Sequence, residues 1–298
     1  MKLTIQTPAD FSFYETVHAH GWRDLAPFQW DETTRTLTRS EHLTDGKVIR
    51  LSMREGANDG LEIETDADSD EEEITKKVRR IFQLDVDITR FHTFCGSRAE
   101  LAPIPQKKQG RILRSPTLWE DAVKVILTTN TTWAQTKAMT RRFVAEWGAA
   151  HVSNPEIRAF PLPQRIAALD FDRFAALAKV GYRAAAIYEL ATDIAAGRDF
   201  EAWNDCSLMT EELRKSLLKL RGVGPYAAAC LLLYLGRPDR VNSDSWARTL
   251  VGRELGRAVS DADVHAFFAD YGEWRGLIYH FYAWRENEEN AAAFNAEI

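Results

Sequence analysis

The stretch that decides the fold runs from residue 213 to residue 250 and reads LRKSLLKLRGVGPYAAACLLLYLGRPDRVNSDSWARTL. Leucine recurs at helical spacing across its first part, which predicts a helix with one apolar stripe. Gly222 and Gly224 interrupt that helix, because glycine adopts backbone angles that are closed to other residues. Pro225 suits the first turn of a second helix, where its missing N–H would be unpaired in any case. We therefore predict a helix-hairpin-helix over about residues 213–236.

The predicted hairpin has the chemistry of a phosphate-binding turn. A glycine turn that opens into a helix directs several N–H groups outward at the positive end of the helix dipole. Two helices joined by a short glycine turn are also common packing units, so an ordinary helix corner is the alternative. If the hairpin contacts DNA, the contacting residues are Arg221, Gly222, Val223 and Gly224.

The segment GVGPYAAAC, followed by VNSDSWAR, resembles the helix-hairpin-helix, Gly/Pro-rich loop and aspartate of the base-excision DNA glycosylase superfamily, known as HhH-GPD. The chain is most similar to the two-domain type, which includes 3-methyladenine DNA glycosylase II and 8-oxoguanine glycosylase. The likeness covers most of the helical part of the chain and residues 1–100 only loosely. It implies that the partner is double-stranded DNA with a damaged base, which the enzyme swings out of the duplex.

Asp244 matches the catalytic aspartate of this superfamily by its place in VNSDSWAR. Breaking the bond between the sugar and the base creates positive charge on the sugar. A nearby carboxylate stabilises that charge, and it can also orient or deprotonate a water molecule. Asp is a good N-cap as well, so capping of a helix that begins at Ser245 is the alternative role.

Tyr226 occupies the position where bifunctional members of the superfamily carry a lysine that forms a Schiff base. A tyrosine cannot form an imine, so the resemblance implies a monofunctional enzyme without lyase activity. Lys215 and Lys219 lie on the helix before the hairpin and are not expected to replace the missing lysine. Relatives that remove alkylated bases also have an aromatic residue at this position, which favours an alkylated purine as substrate.

An extrahelical alkylated base carries positive charge and is attracted to electron-rich ring faces. The residues that we expect to line its pocket are Tyr226, Cys230, Trp246, Trp274, Tyr279 and Trp133.

Asn130 corresponds by position to the residue that the superfamily inserts into the duplex where the base has left. Its alternative role is to cap the next helix. The turn VGYRA resembles a turn of the same superfamily, and there we expect Tyr182 to pack in the core against the hairpin, with a place in the pocket as the alternative.

Two further functions remain open. One is removal of oxidised or deaminated purines, as in 8-oxoguanine glycosylases, which the N-terminal strands, the VGYRA turn and Cys230 favour. The other is a non-catalytic helix-hairpin-helix protein that binds damaged DNA.

The complete chain is predicted to be α+β and mainly α. Residues 1–100 form a small antiparallel β-domain with an acidic linker, DADSDEEE, and the helices that follow; residues 101–298 form an all-helical HhH-GPD glycosylase body. The segment FSFYETV is compatible with a short helix or a strand. Short runs rich in Thr, Val, Leu and Ile predict strands at Thr34–Ser40, Lys47–Met53 and Leu61–Thr65. Apolar periodicity predicts helices at Ile74–Leu84, Ala262–Tyr271 and Gly276–Trp284. Ser260 and Asp263 predict a capping box at the start of the second of these helices.

The net charge of −6 argues at first against a DNA partner. However, residues 1–100 hold 13 Lys and Arg against 20 Asp and Glu, whereas residues 101–284 hold 24 against 20. Backbone N–H groups and helix ends also bind phosphates, so the acidity lowers the expected affinity without excluding DNA. A basic patch of solvated or phosphate-binding side chains is predicted at Lys107, Lys108, Arg111 and Arg114.

The three cysteines are far apart and have no metal-binding spacing. We expect no cofactor and no iron–sulfur cluster, and we predict no metal site formed by side chains, although a monovalent or divalent cation on the hairpin carbonyls stays open. There is no apolar run of the length that spans a membrane. We therefore expect a cytoplasmic, nucleoid-associated prokaryotic protein that acts as a monomer.

Overall fold

The computed structural model describes residues 1–57, 60–204 and 207–282. It confirms the predicted class, since an antiparallel sheet near the N-terminus is followed by a body made mainly of helices. Buried side chains from both parts belong to one continuous hydrophobic core. In the described part of the chain, no helix combines the length and the apolar character that a membrane span requires.

The sheet has five strands in the order β1-β5-β4-β3-β2, and all neighbouring pairs are antiparallel. The three predicted strands are confirmed with ends shifted by one or two residues, whereas the edge strands β1 and β2 were not predicted. The segment FSFYETV contains a short helix, α1. The bounds are β1 Lys2–Gln6, α1 Phe13–Val17, β2 Gln29–Asp31, β3 Thr36–His42, β4 Val48–Glu55 and β5 Gly60–Thr65.

The acidic linker begins the first long helix, α2, which spans Glu71–Ile81. The Asp70 carboxylate accepts the backbone N–H groups of Glu72 and Glu73, and three glutamates occupy the first turn. Negative charge there stabilises the positive end of the helix dipole. The helix therefore starts three residues before the predicted Ile74, because Asp70 supplies its cap.

The body contains twelve helices among the described residues, joined by short loops. They are α3 Thr89–Gly96, α4 Pro103–Gln106, α5 Leu118–Thr128, α6 Trp133–Trp147, α7 Pro163–Ala167, α8 Phe171–Ala178, α9 Arg183–Ala195, α10 Thr210–Leu217, α11 Pro225–Tyr234, α12 Ser245–Leu255, α13 Asp261–Phe267 and α14 Arg275–Phe281. Four short 3₁₀ turns lie at Gly21–Asp24, Ala99–Leu101, Glu201–Asn204 and Ala269–Trp274.

The prediction of an all-helical body was wrong at one place. A small antiparallel hairpin, β6 (Ala150–His151) and β7 (Asn154–Arg158), lies between α6 and α7. It packs against the N-terminal sheet, and His151 Nε2 lies 3.0 Å from a carboxylate oxygen of Asp66. Tertiary contact with the sheet holds this short segment in the β-conformation, which its own sequence signals only weakly.

A buried ion cluster joins the sheet to the helical body. The Arg39 guanidinium on β3 donates two hydrogen bonds, of 3.2 and 2.9 Å, to the Glu120 carboxylate on α5. Lys124 Nζ lies 2.8 Å from the same carboxylate, and Glu41 lies 2.7 Å from Arg39. Burial alone would raise the pKa of Glu120, but the charges of Arg39 and Lys124 outweigh it and lower that pKa to about 2. The cluster therefore holds α5 at a fixed place on the sheet.

At the C-terminal end, the capping box of Ser260 and Asp263 is confirmed and starts α13. The helix is shorter than predicted, because a 3₁₀ segment with Gly272 at φ +56° follows it. The last predicted helix is α14, which begins at Arg275, and its predicted end at Trp284 lies outside the described residues.

Candidate active site

The described residues form a cavity of about 1360 Å³ on the body. Its walls are the turn at Gly21, the loop between α5 and α6, the hairpin with the start of α11, the residues around Asp244, and part of α14. Nine aromatic residues of the described part of the chain contribute to these walls. They are His20, Trp22, Trp133, Tyr182, Tyr226, Tyr234, Trp246, Tyr279 and His280.

The helix-hairpin-helix forms as predicted, from α10 and α11. Gly222 has φ +77°, and a Cβ there would lie 2.7 Å from the Ala186 Cβ on α9, so both conformation and packing require glycine. Gly224 differs: its φ is −87° and no atom lies within 4 Å of the position of an added Cβ. Gly224 thus leaves open space in front of the helix, where a ligand could approach the backbone.

The hairpin amides are available to a ligand. Within the described residues, no hydrogen bond is donated by the backbone N–H groups of Gly222, Gly224 or Tyr226. Pro225 has no N–H, and α11 begins there with its positive end facing outward. Such a set of N–H groups is suited to an anion such as a phosphate.

Arg221 is the one predicted hairpin residue that lies outside the cavity wall. Its side chain is 61% exposed and pairs with Glu189 at 3.5 Å. Val223 is buried, and its N–H donates to the Leu220 carbonyl at 3.1 Å, so this amide is already paired within the hairpin.

Asp244 caps α12 and also lines the cavity. Its Oδ1 accepts the N–H of Ala247 at 2.7 Å, as the alternative role requires. Burial raises the pKa of the Asp244 carboxyl, against the opposing effects of the Ala247 amide, the charge of Arg248, the Trp246 amide and the Tyr279 hydroxyl. The cap therefore fixes the carboxylate at the cavity wall, and capping and catalysis are compatible.

Tyr226 and Cys230 lie one turn apart on α11 and both line the cavity. The nearby Cys230, burial and the charge of Asp244 raise the pKa of the Tyr226 hydroxyl, so the phenol is neutral at physiological pH. Burial raises the pKa of the Cys230 thiol to about 12, which also keeps it protonated. Neither group is therefore activated as a nucleophile.

Asn130 lies at the tip of the loop after α5, exposed and with φ +46°. The alternative that Asn130 caps the next helix was wrong, because Thr132 caps α6 through a capping box with Gln135. Asn130 Nδ2 instead donates to the Tyr182 hydroxyl at 3.1 Å. The loop carbonyl of Asn130 accepts from the Arg183 guanidinium at 3.2 Å. These contacts hold the tip at the cavity edge.

The expectation that Tyr182 packs in the core was wrong. Tyr182 is 60% exposed and lines the cavity. The Arg183 guanidinium lies 4.7 Å from the centre of the Tyr182 ring. Gly181 precedes it with φ +63°, and this turn directs the ring outward at the start of α9.

Trp274 was also wrongly predicted to line the base pocket. Its ring packs 5.4 Å from that of Phe91 on α3, and the Arg90 guanidinium lies 5.9 Å from it. Trp274 precedes α14 in the 3₁₀ segment, which points it toward α3 and away from the cavity. The other predicted pocket residues do line the cavity, namely Trp133, Tyr226, Cys230, Trp246 and Tyr279.

An N-terminal turn supplies cavity residues that sequence reasoning missed. His20 stacks on Tyr234 at 5.5 Å, and Trp22 lies 5.2 Å from the same ring. A Cβ on Gly21 would lie 2.2 Å from the Trp133 ring, so this glycine permits the close contact of turn and loop. In the sequence, the aromatic-rich segment HAHGW was the signal for these residues. No local pattern relates it to the hairpin and Asp244, which lie far away along the chain.

The predicted basic patch is only half exposed. Arg111 is buried, and its guanidinium lies 2.9 Å from the Asp10 carboxylate. Arg114 is also buried and donates to Asn204 at 2.7 Å. These two arginines therefore stabilise the fold, and only Lys107 and Lys108 remain as exposed cations of that patch.

The hairpin, Asp244 and most of the residues that line the cavity lie between residues 123 and 296. The family described as "HhH-GPD superfamily base excision DNA repair protein" matches residues 123–296. The chain belongs to this superfamily.

The relatives agree with this assignment. A probable N-glycosylase/DNA lyase of Methanothermobacter thermautotrophicus is 25% identical over 268 residues, which are 78% of this chain and 84% of the relative. A 3-methyladenine DNA glycosylase from Archaeoglobus fulgidus has a TM-score of 0.75 at 17% identity and covers 96% of this chain and 99% of its own. A Clostridium acetobutylicum 8-oxoguanine glycosylase/lyase has a TM-score of 0.72 at 18% identity, with 94% and 95% covered. The resemblance to two-domain DNA glycosylases is confirmed.

Proposed function

We propose that the protein is a monofunctional DNA glycosylase that hydrolyses the N-glycosidic bond of an alkylated purine, with Asp244 as the catalytic carboxylate. The monofunctional assignment rests on one observation: none of the described residues that line the cavity is a lysine. Tyr226 occupies the position at which a lyase of this superfamily carries its Schiff-base lysine. Since a phenol forms no imine with the sugar, water is the nucleophile.

In this proposal Asp244 acts by electrostatics and as a base. Its carboxylate stabilises the positive charge that grows on the sugar as the bond to the base breaks. Burial raises the pKa of this carboxyl, which makes the carboxylate a stronger acceptor for the proton of the attacking water. The Ala247 amide holds one carboxylate oxygen in place throughout.

The charge of the cavity wall supports an alkylated, cationic base. The described residues place one carboxyl group, Asp244, and one guanidinium, Arg248, in the wall, and Arg248 is paired with Asp261 at 2.6 Å. The wall also contains aromatic rings, whose faces attract cations. A base that carries a positive charge is therefore favoured over a neutral one.

The remaining residues have roles in DNA binding. The hairpin N–H groups of Gly222, Gly224 and Tyr226 donate hydrogen bonds to a phosphate of the damaged strand. Asn130, at the exposed tip beside the cavity, enters the space that the extrahelical base leaves in the duplex.

The function is tested by excision assays on duplexes that carry 3-methyladenine, hypoxanthine or 8-oxoguanine. We expect release of free 3-methyladenine with an intact strand until alkali is added. Release confined to 8-oxoguanine, accompanied by strand nicking, would refute both the substrate and the monofunctional assignment.

A second candidate function is excision of oxidised purines. It is supported by Cys230 in the cavity wall and by the Methanothermobacter relative, whose name includes DNA lyase activity. The same three-substrate assay decides between the two functions.

A further inference from the structure

Asn242 is a cavity residue with a buried oxygen that has no partner. The residue is 8% exposed, lies two positions before Asp244 and lines the cavity. Its side-chain oxygen, Oδ1, is buried and receives no hydrogen bond within the described residues. Buried polar atoms are nearly always hydrogen-bonded, so an acceptor of this kind requires an explanation.

The orientation of the amide is set by its nitrogen. Asn242 Nδ2 donates to the Cys230 sulfur at 3.6 Å, across the cavity wall from α11. Because the nitrogen is directed to the sulfur, Oδ1 is the atom of the amide that is left for a ligand. An amide oxygen accepts hydrogen bonds and cannot donate them.

Asp239 provides a comparison outside the cavity. It lies three positions earlier and also has a buried side-chain oxygen without a partner within the described residues, but it does not line the cavity. The Tyr226 and Tyr279 hydroxyls, which line the same cavity as Asn242, can donate as well as accept. Asn242 Oδ1 therefore requires a hydrogen-bond donor on the ligand, whereas a hydroxyl can pair with either a donor or an acceptor.

We propose that Asn242 is a specificity-determining residue whose Oδ1 accepts a hydrogen bond from an N–H group on the edge of the extrahelical base. This inference rests on the proposed glycosylase function and narrows its substrate class. It selects purines with a donor on the Watson–Crick edge, such as the amino group of 3-methyladenine or the ring N–H of hypoxanthine. It disfavours ethenoadenine, whose fused ring leaves that edge without a donor.

The closing experiment compares single-turnover excision of 3-methyladenine, hypoxanthine and ethenoadenine by the parent, Asn242→Leu and Asp239→Asn. Leucine has the same branched shape and the same number of side-chain heavy atoms, but it has no acceptor. We expect Asn242→Leu to slow excision of the donor-bearing bases by about tenfold to a hundredfold and to leave ethenoadenine excision unchanged. Asp239→Asn is the matched control and should keep the parent's discrimination.

Binding to a duplex with a tetrahydrofuran abasic site separates base recognition from folding, because that duplex presents no base. Asn242→Leu should bind it as tightly as the parent does. The role of Asn242 would be overturned if Asn242→Leu excised the three bases with the same relative rates as the parent. It would also be overturned if the variant lost the same factor in rate on all three bases and bound the tetrahydrofuran duplex more weakly. Neither result would affect the proposed glycosylase function. If the parent binds the tetrahydrofuran duplex but releases none of the three bases, both the glycosylase function and the role of Asn242 are overturned.

Discussion

Replacement of Asp244 by asparagine separates the two roles that the structure gives this residue. Asparagine is as good an N-cap as aspartate, and its Oδ1 can accept the Ala247 N–H that Asp244 accepts at 2.7 Å. The cap should therefore change by less than about 0.5 kcal/mol. The negative charge, in contrast, is lost completely. Loss of preorganised charge stabilisation costs about 100- to 1000-fold in rate, or roughly 3–4 kcal/mol.

The effect of Asp244→Asn on stability has a predictable dependence on pH. Burial raises the pKa of this carboxyl in the folded protein, so its ionisation opposes folding as pH rises through the folded pKa. We expect the variant to be at least as stable as the parent at pH 7. The difference in the free energy of unfolding between the variant and the parent should shrink in acid, because the parent's carboxyl is then protonated in both the folded and the unfolded state.

The assay is single-turnover excision from a lesion-containing duplex, with thermal unfolding of the same samples at pH 7 and pH 4. Asp170→Asn is the matched control, since Asp170 caps α8 through the Arg173 N–H and does not line the cavity. Excision by Asp244→Asn at the parent's rate would refute the catalytic role of Asp244. A large loss of stability in the variant would refute the reasoning about the cap.

Four further predictions concern the hairpin and the core. Tyr226→Lys should give a complex with lesion DNA that borohydride traps, because it supplies the missing amine, whereas the parent should give none. Gly222→Ala should destabilise the fold by at least about 1–2 kcal/mol in thermal unfolding, because of its positive φ and its contact with α9, and an unchanged melting temperature would contradict this. Gly224→Ala should leave stability unchanged and weaken DNA binding in fluorescence anisotropy, because its Cβ occupies the open space before the helix; unaltered binding would count against the hairpin as a phosphate site. Glu120→Gln should destabilise the protein by about 3–5 kcal/mol in urea titrations. Since the Glu120 pKa is lowered to about 2, the parent's stability advantage should fall as pH drops from about 4.5 toward 2.

The parts of the site that the sequence predicts correctly are those set by neighbours along the chain. The hairpin follows from the glycines at 222 and 224, and the position of Asp244 follows from its place before a helix. Helix caps are local too, which is why the Ser260 capping box was predicted correctly. In each case a few consecutive residues contain the whole physical cause.

The parts that the sequence does not predict depend on which elements pack together. An aromatic residue near a site looks the same in sequence whether it faces a cavity, as Tyr182 does, or another helix, as Trp274 does. The sequence predicts Arg111 as a surface cation, and only the folded structure shows that it pairs with Asp10. His20 and Trp22 reach the cavity only because the N-terminal segment folds back against α11.

The ion cluster of Arg39, Glu120 and Lys124 has a consequence for how this protein can be divided or shortened. Without the N-terminal sheet, Glu120 on α5 would lose the two hydrogen bonds that Arg39 donates and would keep its contact with Lys124. This charged pair would then lie on a surface that the sheet now covers. The sheet and α5 are therefore expected to fold as one unit, and a cut between them does not leave an independent domain.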